Sequence, residues 1–342
     1  MAALALSMGC SAEHIPLAEP AASLTPPTRL CAAHEGPPAC RSAREIETLL
    51  RGPIEILGMT APPSGMQGAK LLTLRGAGGQ VIRAKWRPQS TADLINEPRK
   101  ELAAYAVQKL FLDDDELVAP PTVAYCFPGT EYRRFAPKTP PSFSHIDCVL
   151  GFLSYWLEGV QTVGAARASG RLSPGAGIWD PALFKSDPEY RLSVENSNLL
   201  TYLINHGDAH EDQFVLQPTP RGLRAYVVDN SIAFRSIKNP MLLLRQDWSD
   251  IRVPQLPRQA IARLQHLGSA DFAQLGNISE LALSGGKLVN ARSGEPLKSD
   301  GTTMSWTGSR LRIGLTRGEI ELVESRAREL LSRPDLNRLM QP

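Results

Sequence analysis

The 342-residue chain has no apolar run that approaches the length of a membrane-spanning helix. It also lacks a charge excess: 37 basic against 35 acidic residues leave a net charge of +2. That balance, with arginines scattered and not interleaved with aromatics, removes the electrostatic case for nucleic acid. No Cys/His cluster has the spacing of a zinc site, and no internal repeat is apparent. Cysteine is scarce, at five residues.

What is there is an ordinary globular composition, 42% hydrophobic, on a chain long enough for a two-lobed domain with appendages. The first ten residues, MAALALSMGC, resemble the end of a bacterial lipoprotein signal with Cys10 as the lipidated residue, although no basic start precedes them. On that reading the protein is exported and meets a membrane only through a lipid on Cys10; otherwise it is cytoplasmic. Residues 11–41, rich in Pro, Ala and Ser, read as a tether, so 1–42 is expected to be signal and disordered linker. Setting Cys10 aside leaves Cys31, Cys40, Cys126 and Cys148. The last two flank strand-like runs that adjacent strands can bring together, and two buried free thiols are an equally ordinary outcome.

Residues 203–234, LINHGDAHEDQFVLQPTPRGLRAYVVDNSIAF, carry the most chemistry. They read as the end of an apolar helix, a loop with Asp208, and two short strands, the second delivering Asp229. Phosphoryl transfer needs one carboxylate to orient the attacking hydroxyl and another to hold a divalent metal against the phosphates. A hairpin can place both at one edge of a cleft. Asp208 and Gln213 are five positions apart, the spacing of Asp and Asn in the pattern H-R-D-x-x-x-x-N. His206 and His210 read as loop-packing residues, and Glu211 and Asp212 as solvated charges.

Upstream, 53–86 reads as three short strands. Between the first two, Ser64, Gly65 and Gly68 lie in a small-residue turn whose backbone can approach phosphates, although such a turn is also a common hairpin connection. Lys85 falls in the third strand. The run NEPRKELAAYAVQKLFL has helical spacing with Pro98 tolerated in its first turn. Glu101 sits early on that helix, sixteen residues after Lys85, which leaves room for a strand, a loop and a first helical turn. Glu97, just before Pro98, is expected as a dipole partner at the helix entrance.

In this order, AKWRP, ELAAY, VAPPTV, SYWLEGV, GDAHEDQFVL and VVDNSIAF resemble the atypical kinases: phosphatidylinositol 3- and 4-kinases, HipA-like kinases and secretory-pathway kinases. The resemblance covers about residues 53–235 and rests on the order of individually weak motifs. It implies an α+β, two-lobed kinase-like fold, with a β-rich N-lobe at 43–150 and a larger, mostly helical C-lobe at 151–342. It also implies ATP with Mg²⁺ or Mn²⁺, and transfer of the γ-phosphoryl group to a hydroxyl of an unidentified protein, lipid or small molecule. Lys85 and Glu101 would be the phosphate-anchoring pair, Asp208 the catalytic aspartate, and Asp229 with Gln213 the metal ligands. Residues 152–159 resemble the hinge, so Tyr155, Trp156 and Leu157 would line the nucleotide site.

Two departures stand out. Gln213 occupies the position of a metal-binding Asn, and Ser231 that of a glycine. A nucleotide-binding pseudokinase scaffold is therefore one alternative, and a kinase-fold AMP transferase is another. Beyond 235, a helix is expected after QDWSDIRVPQLP, and KLVNARSGEPLK is expected to pair with MSWTGSRLRIGL. Thr316 to Glu319 reads as a capping box opening a final helix, all within the larger lobe.

Overall fold

The computed structural model describes residues 30–32, 39–63, 68–89, 96–235, 247–291 and 295–341. The expected lipidation site at Cys10, and Ser64 and Gly65, lie outside them. A two-stranded ribbon, β1 (Leu30–Ala32) and β2 (Ala39–Arg41), leads into α1 (Ala43–Arg51). Residues 30–32 and 39–41 of the expected tether are thus regular structure. Ser42 and Glu45 form a capping box on α1, a signal present in the sequence but not read from it.

Next come β3 (Ile54–Thr60), β4 (Lys70–Gly76), β5 (Val81–Pro88), α2 (Arg99–Gln108), β6 (Thr122–Pro128), a short α3 (Gly129–Tyr132) and β7 (Cys148–Tyr155). The five strands form one antiparallel sheet in the order β3-β4-β5-β7-β6. In β5 the residues alternate: Ile82, Ala84 and Trp86 enter the core, while Arg83, Lys85 and Arg87 share the opposite face. Gly151 permits the close approach of β7 to this strand, since a Cβ there would lie 2.5 Å from the Trp86 ring and from the Arg87 carbonyl.

Helix α2 is buried on nearly every side, with Leu102 in one core and Ala103, Ala104 and Val107 in another. Its last residue, Gln108, is fully buried. Its side chain accepts from the Val118 and Ala119 amides and donates to the Ala119 carbonyl, which fixes the turn that precedes β6.

The larger half starts with β8 (Gln161–Thr162), α4 (Val163–Ala168), α5 (Pro181–Ser186) and α6 (Pro188–Leu203). It continues into the hairpin β9 (Phe214–Thr219) and β10 (Gly222–Val227), which with β8 forms a three-stranded sheet. Further on are α7 (Arg258–His266), α8 (Ser269–Ala273), β11 (Ser279–Ser284), β12 (Lys287–Asn290), β13 (Met304–Thr307), β14 (Arg310–Ile313), α9 (Arg317–Leu331) and α10 (Leu336–Leu339). A fully buried Asn198 on α6 organises this half. Its amide donates to the Trp248 and Asp250 carbonyls and accepts from the Arg252 and Val253 amides.

Two separate apolar cores, one under the five-stranded sheet and one around α6, make the molecule a two-lobed α+β fold. The expected helix at α7 and the capping box of α9 are present. The late strands differ from expectation. Lys287–Asn290 pairs with β11 and not with β13, in a sheet ordered β12-β11-β14-β13. This sheet packs not in the larger lobe but on the small one: Leu281, Leu288, Leu311 and Ile313 join Ala124, Cys126, Leu150 and Phe152 in a third core. In alternating strands the residues that face a second layer look the same whichever layer that is.

Cys126 and Cys148 form a disulfide between β6 and β7, closing a 22-residue separation beside that core. Its removal releases loop-closure entropy to the unfolded chain. Replacing both cysteines by serine should lower unfolding free energy by about 2–4 kcal/mol. Urea denaturation of the two forms measures this, and equal midpoints would show that the pairing of β6 with β7 suffices.

Candidate active site

Three elements from two lobes meet at one amine. Lys85, from the open face of β5, places Nζ 2.9 Å from Glu101 Oε1 and 2.9 Å from Asp229 Oδ1. Glu101 comes from the first turn of α2, and Asp229 from the residue that ends the β9–β10 hairpin excursion. The second oxygen of Glu101 accepts the Asn230 amide at 3.0 Å, so one carboxylate holds both the lysine and the backbone beside Asp229. Glu97, the alternative at the helix entrance, instead pairs with Arg99 and Lys100.

Asp229 is held in a left-handed conformation, φ 60° and ψ 48°. Asp visits this region more readily than most residues, and strain of this kind concentrates at functional sites. Several bonds fix it. Ser231 donates its hydroxyl to Asp229 Oδ1 at 3.2 Å and accepts from Arg87 at 3.0 Å, while its carbonyl accepts the Glu97 amide. The serine that stands in place of a glycine is thus a fully buried connector between β5, the α2 entrance and this loop.

Asp208 lies on the loop after α6. That loop is tied to the 229–234 segment by two backbone bonds, Phe234 to Ile204 and Gly207 to Ile232. Gln213 donates its amide to Asp208 Oδ2 at 3.3 Å, and His210 Nε2 is 3.6 Å from the same oxygen. His210 also accepts the Asp212 amide, as a cap for the turn 211–213. Gln213, expected as a metal ligand through its carbonyl oxygen, turns its amide nitrogen to Asp208.

His206 is fully buried. Its Nδ1 accepts the Asp208 amide, which leaves Nε2 as a buried nitrogen with no hydrogen-bond partner. Its packing against backbone is thus half of what the sequence suggested. Burial holds its pKa below the usual imidazole value, against the opposing pull of Asp229, Asp208 and Glu101. Burial also disfavours charge on Asp229, but Lys85 outweighs it and lowers the carboxyl pKa; conversely, burial opposes the Lys85 charge and Glu101 and Asp229 raise its pKa. The Asp229 contribution to stability is complete above pH 3.8 and is lost as pH falls through its lowered value. That of Lys85 is complete below 10.5 and is lost as pH rises through its raised one. Asp229 and Lys85 are therefore both charged across the neutral range.

The expected hinge divides in two. Tyr155 is the buried end of β7, whereas 156–160 leaves the five-stranded sheet for β8 in the other sheet, so the segment crosses between lobes. Trp156 donates its amide to the Arg83 carbonyl at 3.0 Å, and the Arg83 guanidinium pairs with Glu158. Gln217 of β9 donates to the Glu158 carbonyl at 2.7 Å. Leu157 is buried in the small-lobe core. Of the small-residue turn, Gly68 is described and adopts φ 77°, a value suited to glycine.

Sequence reasoning missed Arg83, Arg87 and Glu158, and noted Ser231 only as a departure. The alternation Arg83-Lys85-Arg87 was the available signal, because three cations on one strand face need partners on whatever covers it.

A divalent cation fits the donors at hand. The Asp229 side chain retains 43% exposure while anchored through Oδ1, and carboxylate and amide oxygens suit a hard cation. Among the described residues no group of three or more His, Cys, Asp or Glu converges on a metal position.

No family model matches the sequence, and no curated protein matches it. Among solved structures, the chain is similar to hydra Fam20 with sugar, at 12% identity over 87% of this chain and 88% of that one, TM-score 0.49. It is also similar to the Golgi casein kinase with Mn/ADP bound, at 12% identity over 84% of this chain and 75% of that one, TM-score 0.43.

The buried neutral histidine has a measurable consequence. Because the folded state resists protonation of His206, the unfolded state binds more protons below pH 6.5 and stability falls there. His206→Gln should flatten the melting temperature between pH 6.5 and 5 relative to the natural protein. An unchanged slope in thermal melts across that range would assign the acid sensitivity to another group.

Proposed function

We propose that the protein is a kinase-like phosphotransferase that moves the γ-phosphoryl group of ATP to a hydroxyl with the help of Mg²⁺ or Mn²⁺. The observation that carries this reading is the convergence of strand, helix and hairpin on the Lys85 amine, 2.9 Å from Glu101 and 2.9 Å from Asp229. Fixing an ammonium between two carboxylates costs desolvation, and replacement of such a group by apolar residues is often neutral or stabilising. A cation held at the junction of two lobes, with a half-open carboxylate beside it, matches what polyphosphate binding requires.

Lys85 donates to phosphate oxygens and neutralises their charge, and Glu101 holds the amine in place when the phosphates compete with Asp229 for it. Asp229 and Gln213 would hold the metal, which would supply positive charge to offset the charge that develops on transfer. Asp208 accepts the proton of the acceptor hydroxyl, and the Gln213 amide and His210 orient its carboxylate. His206 fixes the Asp208 backbone amide. The segment 156–160 would receive the base.

Substitution separates these roles. With ATP and Mg²⁺ or Mn²⁺, Asp208→Asn should reduce phosphoryl transfer by at least about a hundredfold and leave metal-dependent nucleotide binding near the natural level. Asp229→Asn should weaken both. Intact-mass analysis after incubation reads a phosphate, an adenylate or neither, and calorimetry reads binding. An adenylate would turn the reading to AMP transfer. Metal-independent binding that Asp229→Asn leaves untouched, with no transfer, would leave only a nucleotide-binding scaffold.

A further inference from the structure

Helix α2 opens with two cations where the helix dipole favours an anion. Arg99 and Lys100 lie in its first turn and are 4% and 3% exposed. Their partners are two carboxylates. Arg99 forms a two-pronged pair with Glu319 at 3.0 and 2.8 Å and a further contact with Glu97 at 2.6 Å. Lys100 lies 3.0 Å from Glu97 and 3.9 Å from Glu319. Glu319 belongs to the first turn of α9, where it also accepts from the Thr316 amide and hydroxyl. One carboxylate, more than 200 residues along the chain, therefore closes one helix and receives the start of another. The next residue of α2 is Glu101.

We propose that Arg99 and Glu319 are positioning residues for the phosphoryl-transfer site suggested above, setting the axial position and rotation of α2 and so holding Glu101 against Lys85. This rests on that reading for its function and on the ion pair for its geometry. Ala103 and Ala104 present shallow ridges to the large core, and the Gln108 bonds hold the far end of α2, so a directional contact at its first turn adds what packing there does not supply. A planar guanidinium engaged by both carboxylate oxygens is directional and fixes slide and rotation together. Arg99 is buried and Glu319 is 12% exposed, so the pair is screened far less than a surface contact.

Two variants test it: Glu319→Gln, which retains a residue able to close the capping box, and Arg99→Lys, which keeps the charge but loses the fork. Hydrogen exchange followed by mass spectrometry reads the Asn230 amide, which Glu101 accepts, and the amides of α2. Both variants should speed exchange at Asn230 by about tenfold, whereas Arg328→Gln, on the exposed side of α9, should not. ATP affinity with Mg²⁺ adds a second readout. Glu319→Gln should weaken it about tenfold in the natural background and less than about twofold when Glu101→Gln is already present. Equal factors in both backgrounds, or unchanged exchange at Asn230, would overturn the proposal. A natural protein with no metal-dependent ATP affinity would overturn the proposed function, and the exchange measurement would still decide the positioning.

Discussion

The Lys85 amine is the point on which the rest depends. A half-buried ammonium needs carboxylates on it, and here they come from a helix and from a loop in the other lobe. Each of those carboxylates has its own supports: the Asn230 amide on Glu101, Ser231 and Arg87 around Asp229. The packing of α2 on every side, the positive φ of Asp229 and the buried serine beside it are all conditions for this one triple contact. The two lobes are joined here by charge and along 156–160 by chain.

Neighbouring cations of β5 extend the same logic. Arg83 pairs with Glu158 in the segment that crosses between lobes, and Arg87 pairs with Ser231 and Asn96. A strand face with a cation at every second position thus contacts the interlobe segment, the helix and the post-hairpin loop in turn. Its register is strongly determined, because a slip of one residue would bury all three charges in the apolar core and expose Trp86.

Much of this was legible in the sequence for local reasons. Alternation in β5, the helical period after Pro98 and the hairpin between Asp208 and Asp229 are short-range patterns, and the spacing of Lys85 and Glu101 made their contact a fair expectation. The capping box at Thr316 was equally local. What the sequence hid depends on distance along the chain. Nothing in Glu319 announces Arg99, and nothing in the strands 279–313 says which sheet they will cover. The contact of Gln213 with Asp208 was hidden for a different reason: an amide offers both a donor and an acceptor, so its position does not say which partner each end will find. Glu97 was separable from Glu101 only because its place before Pro98 already gave it another role.

The four late strands that lie on the small lobe bear on how the chain comes to be folded. Synthesis delivers 43–152 early, yet Ala124, Leu150 and Phe152 of that stretch are covered by Leu281, Leu311 and Ile313. The five-stranded sheet therefore leaves the ribosome with one face unclosed and stays so while well over a hundred further residues are made. Domain-by-domain folding in order of synthesis is not open to such a topology. Its contacts span most of the chain, which places it among slow-folding architectures whose intermediates expose apolar surface. Strands made late thus seal a sheet made early.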